Sequence, residues 1–207
     1  LNESITPGKI ARSAISHYFF PIISGDLEVK VKSEDENYII NKKTIDDVSN
    51  QLNWTKRNQA KKLSNLFEMT RWILSLDSSE IINLDRIQST RQPLWDEQTI
   101  SDSDIELLTN KDVDGERLAI KVPIDIFNIE KKTTKKSHFF IYLERDELLS
   151  NETEQHFIRQ GLTIVGIKSF KIRGMRAIVN VEDGGLGNLL GDSENPAHTE
   201  WQRNQPK

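Results

Sequence analysis

Leu118-Ala119-Ile120-Lys121-Val122-Pro123-Ile124-Asp125-Ile126 places its branched apolar residues at every second position. Successive side chains of an extended chain point to opposite faces, so this period of two predicts a strand with one face buried. Pro123 has no N–H to give to a neighbouring strand, which argues for an edge position or a bulge. The loop from Lys131 to Lys136 (KKTTKK) follows, and His138-Phe139-Phe140-Ile141-Tyr142-Leu143 then reads as the returning strand. Lys131, Lys132, Lys135 and Lys136 at a loop tip admit two readings. They present a basic patch to phosphate, or they keep a hairpin soluble and its edges unpaired.

Downstream, a short polar helix is expected near Asp146 to Thr153. Phe157-Ile158-Arg159-Gln160-Gly161-Leu162-Thr163-Ile164 then sets two apolar runs around a glycine. A second basic turn, Lys168 to Arg176, leads into the strand Ala177-Ile178-Val179-Asn180-Val181. After it, Gly184-Gly185 reads as a turn and Leu186 to Leu190 as a short apolar helix or loop. Asn195-Pro196 reads as the cap and first residue of a final helix.

Upstream, Thr6-Pro7 offers a cap with proline behind it, and Ile10, Ala14, Ile15, Tyr18 and Phe19 follow at helical spacing. Pro21 is expected to disturb or end that helix. Ser24-Gly25-Asp26 turns into the alternating strand Leu27 to Lys32, with Tyr38-Ile39-Ile40 as its hairpin partner. Thr44 and Asp47 suggest a capping box at a short helix. Gln59 to Leu76 is helical in pattern, and its early lysines and arginine (Lys56, Arg57, Lys61, Lys62) suit either an anion or plain solvent. Asp77 to Asp114 is polar and punctuated, a candidate linker or insertion with one short helix at Ile100 to Leu108.

The chain has 207 residues, 36% hydrophobic and 29% charged, with a net charge of −4. It is long enough to bury a substantial core, and its overall charge gives no drive toward nucleic acid or anionic lipid. Without cysteine it holds no disulfide, thiolate metal site or cysteine nucleophile, which suits a reducing cytoplasm. No apolar run approaches the about 20 residues that span a bilayer. No signal-peptide layout opens the chain, and no initiator methionine does, so an excerpt of a larger protein is expected.

The tests for chemistry are negative for a freestanding enzyme. The four histidines, His17, His138, His156 and His198, form no HxxxH pair. There is no GxxxxGK[ST] loop, and Gly184, Gly185 and Gly187 do not open a phosphate-facing helix in the expected way. Glu182 and Asp183 are adjacent and would face opposite ways in a strand. Asp192, Glu194, His198 and Glu200 are the densest polar cluster. They either hold a divalent metal for a nuclease or decorate a helix start, where acids suit the dipole. Arg159-Gln160-Gly161 offers forked donors at a backbone bend, apt for phosphate; its alternative is an ordinary strand interruption.

Three stretches together resemble a known family: Ala14 to Ile23 with Gly25-Asp26-Leu27-Glu28-Val29, then Phe157 to Ile164, and then Arg176 to Val179 through Glu194-Asn195-Pro196-Ala197-His198-Thr199-Glu200-Trp201. They are similar to the region downstream of the nucleotide-binding domain in bacterial ATP-binding proteins of the GHKL superfamily. That superfamily includes gyrase, the heat-shock chaperone ATPase, histidine kinases and mismatch-repair ATPases. There a helix of the type NFFxAIxxGKLxV closes the ATPase domain, and IRxGMxI and ENPxHxxW segments follow. The resemblance covers both ends of the chain and skips about 51–114.

The resemblance implies an α+β transducer domain: a mixed sheet with helices on one face, like a domain of a small-subunit ribosomal protein. Residues 1–23 would be the connecting helix from an upstream ATPase domain. Residues 24–207 would be the transducer, with a variable helical or linker segment at about 51–114. ATP and Mg would bind in the upstream domain, whose motifs do not occur in this chain. A basic residue of the transducer would touch the γ-phosphate; Arg159 and Gln160 are best placed, with Lys168 and Lys171 second. The family often uses a lysine there, and this segment offers an arginine. The implied partners are the upstream domain, a second copy of the chain, and a partner protein or DNA, in DNA handling or phage defence and in the cytoplasm, with no membrane. A freestanding nucleic-acid module using Lys131, Lys132, Lys135, Lys136, Arg173 and Arg176 is the competing reading. A metal-dependent nuclease at Asp192, Glu194 and His198 is a further one.

Overall fold

The computed structural model describes residues 5–56, 58–84, 100–128, 132–164, 167 and 172–194. The chain forms two compact units, one of Leu1–Ser75 with Gly161–Thr163 and one of Leu76–Gln160 with Ile164–Lys207.

In the first unit, Thr6 is extended and its Oγ1 accepts from the Lys9 N–H at 3.3 Å, so α1 (Pro7–Ser24) starts at the expected cap. The helix continues through Pro21 at the cost of a kink. Tyr18 leaves helical geometry (φ −126°, ψ 19°), three residues before a proline that gives the previous turn no N–H and crowds it. Gly25 ends the helix in the left-handed region (φ +98°). The strands β1 (Val29–Lys32) and β2 (Asn37–Ile40) pair as the expected antiparallel hairpin. The capping box expected at Thr44 is not made. Its hydroxyl instead donates to the Ile39 carbonyl (2.6 Å) and accepts from the Asn41 N–H (3.0 Å), tying the hairpin to the start of α2 (Ile45–Gln51). The helix α3 (Gln59–Ser75) buries Leu63, Leu66, Phe67 and Ile73, and α1 buries Ala11, Ile15, Phe19 and Ile22. Both rows follow the three-to-four spacing that puts one stripe on a core, and α1 packs on α2, α3 and both strands.

In the second unit, the sheet order is β3 (Ile82–Asn83), β4 (Leu118–Asn128), β5 (Thr133–Arg145), β8 (Met175–Val181), β6 (Thr153–Arg159); β7 (Leu162–Ile164) belongs for the most part to the first unit. The pairs β3–β4 and β6–β8 are parallel, while β4–β5 and β5–β8 are antiparallel. The fold is α+β with a mixed sheet, as expected. Pro123 lies within β4, two residues past the last β3 pairing at Lys121, where no neighbour among the described residues needs its missing N–H. Register puts Leu118, Ile120 and Val122 opposite Leu143, Ile141 and Phe139, and Leu84 and Leu108 pack on this cluster.

Leu108 belongs to α4 (Asp102–Val113), which extends further than the expected Ile100–Leu108 segment and is capped by Ser101 accepting from Asp104. The expected linker thus contributes both β3 and α4 to the sheet; residues 85–99 lie outside the described residues. The helix expected at Asp146 to Thr153 is reduced to a single 3-10 turn, Glu147–Leu149, and β6 begins at Thr153. The last described helix, α5 (Gly184–Asp192), takes Gly184 and Gly185 into its first turn instead of leaving them in a loop. Asp183 makes this so by accepting from the N–H groups of Gly185 and Leu186. The final helix expected from Asn195 lies outside the described residues. Among the described residues, no helix is long and apolar enough to cross a membrane.

Candidate functional site

Arg159 is the last residue of β6, and Gln160 follows it in the left-handed region (φ +49°), where a non-glycine residue is uncommon. The Gln160 N–H still reaches the Val181 carbonyl at 2.9 Å, so the ladder with β8 holds to the end of the strand. Arg159 is 9% exposed and Glu194 5%. The guanidinium meets the carboxylate as a fork: Nε donates to Oε1 at 2.5 Å and Nη2 to Oε2 at 2.8 Å. Its third nitrogen, Nη1, donates to Gln160 Oε1 at 3.2 Å. Charged, bidentate and sheltered, this is the strongest kind of side-chain hydrogen bonding a protein makes.

The helix α5 lies over this pair on a glycine face. A Cβ at Gly187 would fall 2.8 Å from Gln160 Nε2, and one at Gly191 would fall 3.2 Å from Arg159 Nη1. The two glycines are four residues apart, one turn of helix, so both face the same way. Their lack of side chains is what lets the helix approach the two polar groups. At the start of the helix, Asp183 also accepts a short bond from the Ser137 hydroxyl of β5. That hydroxyl first, and the capped N–H groups with it, hold the Asp183 carboxyl below its ordinary pKa. Arg159 shares its sheet face with Val181, and Ser137 lies on the same side as Phe139, so α4 and α5 both cover one face of the sheet.

On the other face, Arg176 is fully buried. This corrects its expected place in an exposed basic turn: β8 begins at Met175, and strand alternation turns the next side chain into the interior. Register puts Glu144 of β5 on one side of it and Glu154 of β6 on the other. Nη1 donates to Glu144, Nη2 to Asp146 Oδ2 at 2.6 Å, and Nε to Glu154 Oε2 at 2.9 Å. Arg117 Nε reaches the second oxygen of Glu144 at 2.8 Å, and His156 Nε2 lies 3.0 Å from Glu154 Oε1. Gly174 (φ +76°) bends the chain so that its carbonyl takes the Asp146 N–H at 2.9 Å, which sets that carboxylate over the guanidinium. Burial works against the charged form of Glu154, but His156 and Arg176 outweigh it and leave its pKa lowered. Arg176 is likewise opposed by burial and held charged by Glu154, Glu144 and Asp146.

The remaining candidates are dispersed. Lys132, Lys135, Lys136 and Arg173 are exposed. Lys131, Lys168, Lys171 and His198 lie outside the described residues. Asp192 ends α5, and Glu194, considered above for a metal, directs both carboxylate oxygens to Arg159. Among the described residues, no group of three or more acidic or histidine side chains is placed to hold a metal ion. His138 packs edge-on against Phe140 with ring centroids 5.2 Å apart, a packing role of the kind a strand histidine beside phenylalanines suggests. Sequence reasoning singled out Arg159 and Gln160 but not their partners. Glu194 lies 35 residues away, and only the placement of α5 connects it to Arg159.

The site therefore contains a guanidinium fork already holding an anion, beneath a helix that closes on it through glycine. Among known proteins, no family model, curated sequence or solved structure matches this chain.

Proposed function

We propose that this chain is the non-catalytic coupling portion of a GHKL-type ATPase, passing the nucleotide state of an adjoining domain into conformational change. The reading rests on the resemblance at both ends of the chain, and one observation carries it furthest: the Arg159–Gln160 pair with its internal anion. A guanidinium that grips a carboxylate with two parallel bonds offers the same fork to a phosphate. Glu194 then serves as the resting partner, and the terminal phosphate of ATP as the competing one. An exchange of anions on one cation biases two states of the molecule only by the difference in affinity between them. A buried pair suits that role, because each partner is costly to leave alone.

ATP and Mg belong, on this reading, to the adjoining domain, and a second copy of the chain is a partner. Service in DNA handling or phage defence, and a cytoplasmic setting, follow from analogy with the superfamily. Arg159→Ala in the protein that carries the ATPase domain is expected to lower ATP hydrolysis by at least tenfold, the scale of about 1.4 kcal/mol. Unchanged hydrolysis, in a variant that still folds by circular dichroism, would remove the reading.

A further inference from the structure

The β4–β5 hairpin outruns its sheet. On the outer side, β3 pairs only with Ile120 and Lys121. On the inner side, β8 pairs with β5 no further toward the tip than Phe140. Among the described residues, Pro123–Asn128 and Thr133–His138 therefore pair only with each other. They form a two-stranded ribbon of roughly 20 Å at about 3.4 Å per residue. Its base is fixed, because Ser137 bonds Asp183 at the start of α5 and Lys135 Nζ reaches the same turn, 3.0 Å from where a Cβ on Gly185 would stand.

Away from that anchor the ribbon stays basic. Lys132 and Lys136 are exposed, and Asp125, across from Lys136, is the one acid among its described residues. The whole chain carries −4, so the ribbon reverses the sign of the molecule locally. Phe127 lies opposite Thr134 near the tip and is 41% exposed. Edge-protecting lysines require no such aromatic; they work by charge alone. Lysines flanking an exposed ring on a free two-stranded ribbon match duplex nucleic acid. Its major groove, about 12 Å wide, admits a β-ribbon and sets phosphates along both sides.

We propose that this ribbon is a nucleic-acid arm: Lys132 and Lys136 contact backbone phosphates of a duplex, and Phe127 contacts the groove between them. The inference does not depend on the ATPase reading, since it concerns other residues and a different measurement.

The test is fluorescence anisotropy of the full chain with a labelled DNA duplex between 50 and 200 mM salt. Binding is expected to weaken steeply as salt rises. Replacing both lysines with alanine is expected to flatten the slope of log K against log salt by about 2, near 0.9 for each phosphate that a lysine no longer neutralises. Phe127→Ala is expected to weaken binding with the slope unchanged. All three positions are exposed, and matching thermal unfolding curves check that the variants fold. Absence of binding at 50 mM salt overturns the proposal, as does a slope that the double lysine variant leaves intact. Equal lysine-dependent binding to phosphatidylserine vesicles also overturns it, since the arm would then read anionic surfaces and not nucleic acid.

Discussion

Arg176 has a carboxylate opposite it on each neighbouring strand and a third above, and its side chain has no exposed surface. Removing the cation would leave Glu144, Asp146 and Glu154 facing one another in the interior. Arg176→Leu is therefore expected to cost about 3–5 kcal/mol, the scale for breaking a buried ion pair by deleting one partner; denaturant titration measures it. Glu154 gives the same network a pH dependence. Its pKa is lowered in the folded chain from an ordinary value of 4.5, so the folded state binds fewer protons than the unfolded one as acid is added. The stabilisation is complete above pH 4.5 and is lost as pH falls through the lowered folded value. Glu154→Gln is expected to make the acid limb of a thermal-stability profile shallower below that pH, with little change in its slope between pH 6 and 8. None of this was legible residue by residue. An arginine after a run of lysines and before a strand looks like surface, and only the register shows that two carboxylates flank it.

Among the elements, α5 depends most on what its residues lack. Alanine at Gly191 would gain helix propensity, close to 1 kcal/mol in a helix interior. Its Cβ would also stand 3.2 Å from Arg159 Nη1, on a guanidinium pinned by Glu194 and unable to yield. Gly191→Ala is accordingly expected to lower stability by about 1–2 kcal/mol on balance, within the range for overpacking, as a drop in the unfolding midpoint. Periodicity alone found most elements of the fold: α1, the β1–β2 hairpin, α3 and the strands of the long hairpin all carry a clear period. The errors came where the period was weak or the turn chemistry local. Gly184 and Gly185 suggested a loop until Asp183 was seen to cap the helix they open. Thr44 suggested a capping box until its hydroxyl was seen bonded to Ile39. The short strand β3, set in a polar stretch, gave no periodic signal at all.

At the scale of the whole molecule, composition and alternation sufficed for an α+β chain; the mixed sheet was expected only from the family resemblance, and neither supplied the order of its strands. Parallel pairing of β6 with β8 joins segments about twenty residues apart, and no local pattern announces it. The candidate site follows the same rule: Arg159 and Gln160 stand out because they adjoin a glycine, whereas Glu194 stands out only as a metal candidate, and its pairing with Arg159 depends on another element. The position of β8 has a kinetic side as well. It is the last described strand in the chain, yet it lies between β5 and β6 and hydrogen-bonds to both. A chain emerging from the ribosome can form the β4–β5 hairpin at once, since that pairing is local. The strand β6 appears next but has no neighbour on its inner side until β8 follows. During synthesis its open edge is exposed to foreign strands. Arg176 then enters with β8 between Glu144 and Glu154, so the step that completes the sheet also pairs charges that had remained hydrated until then.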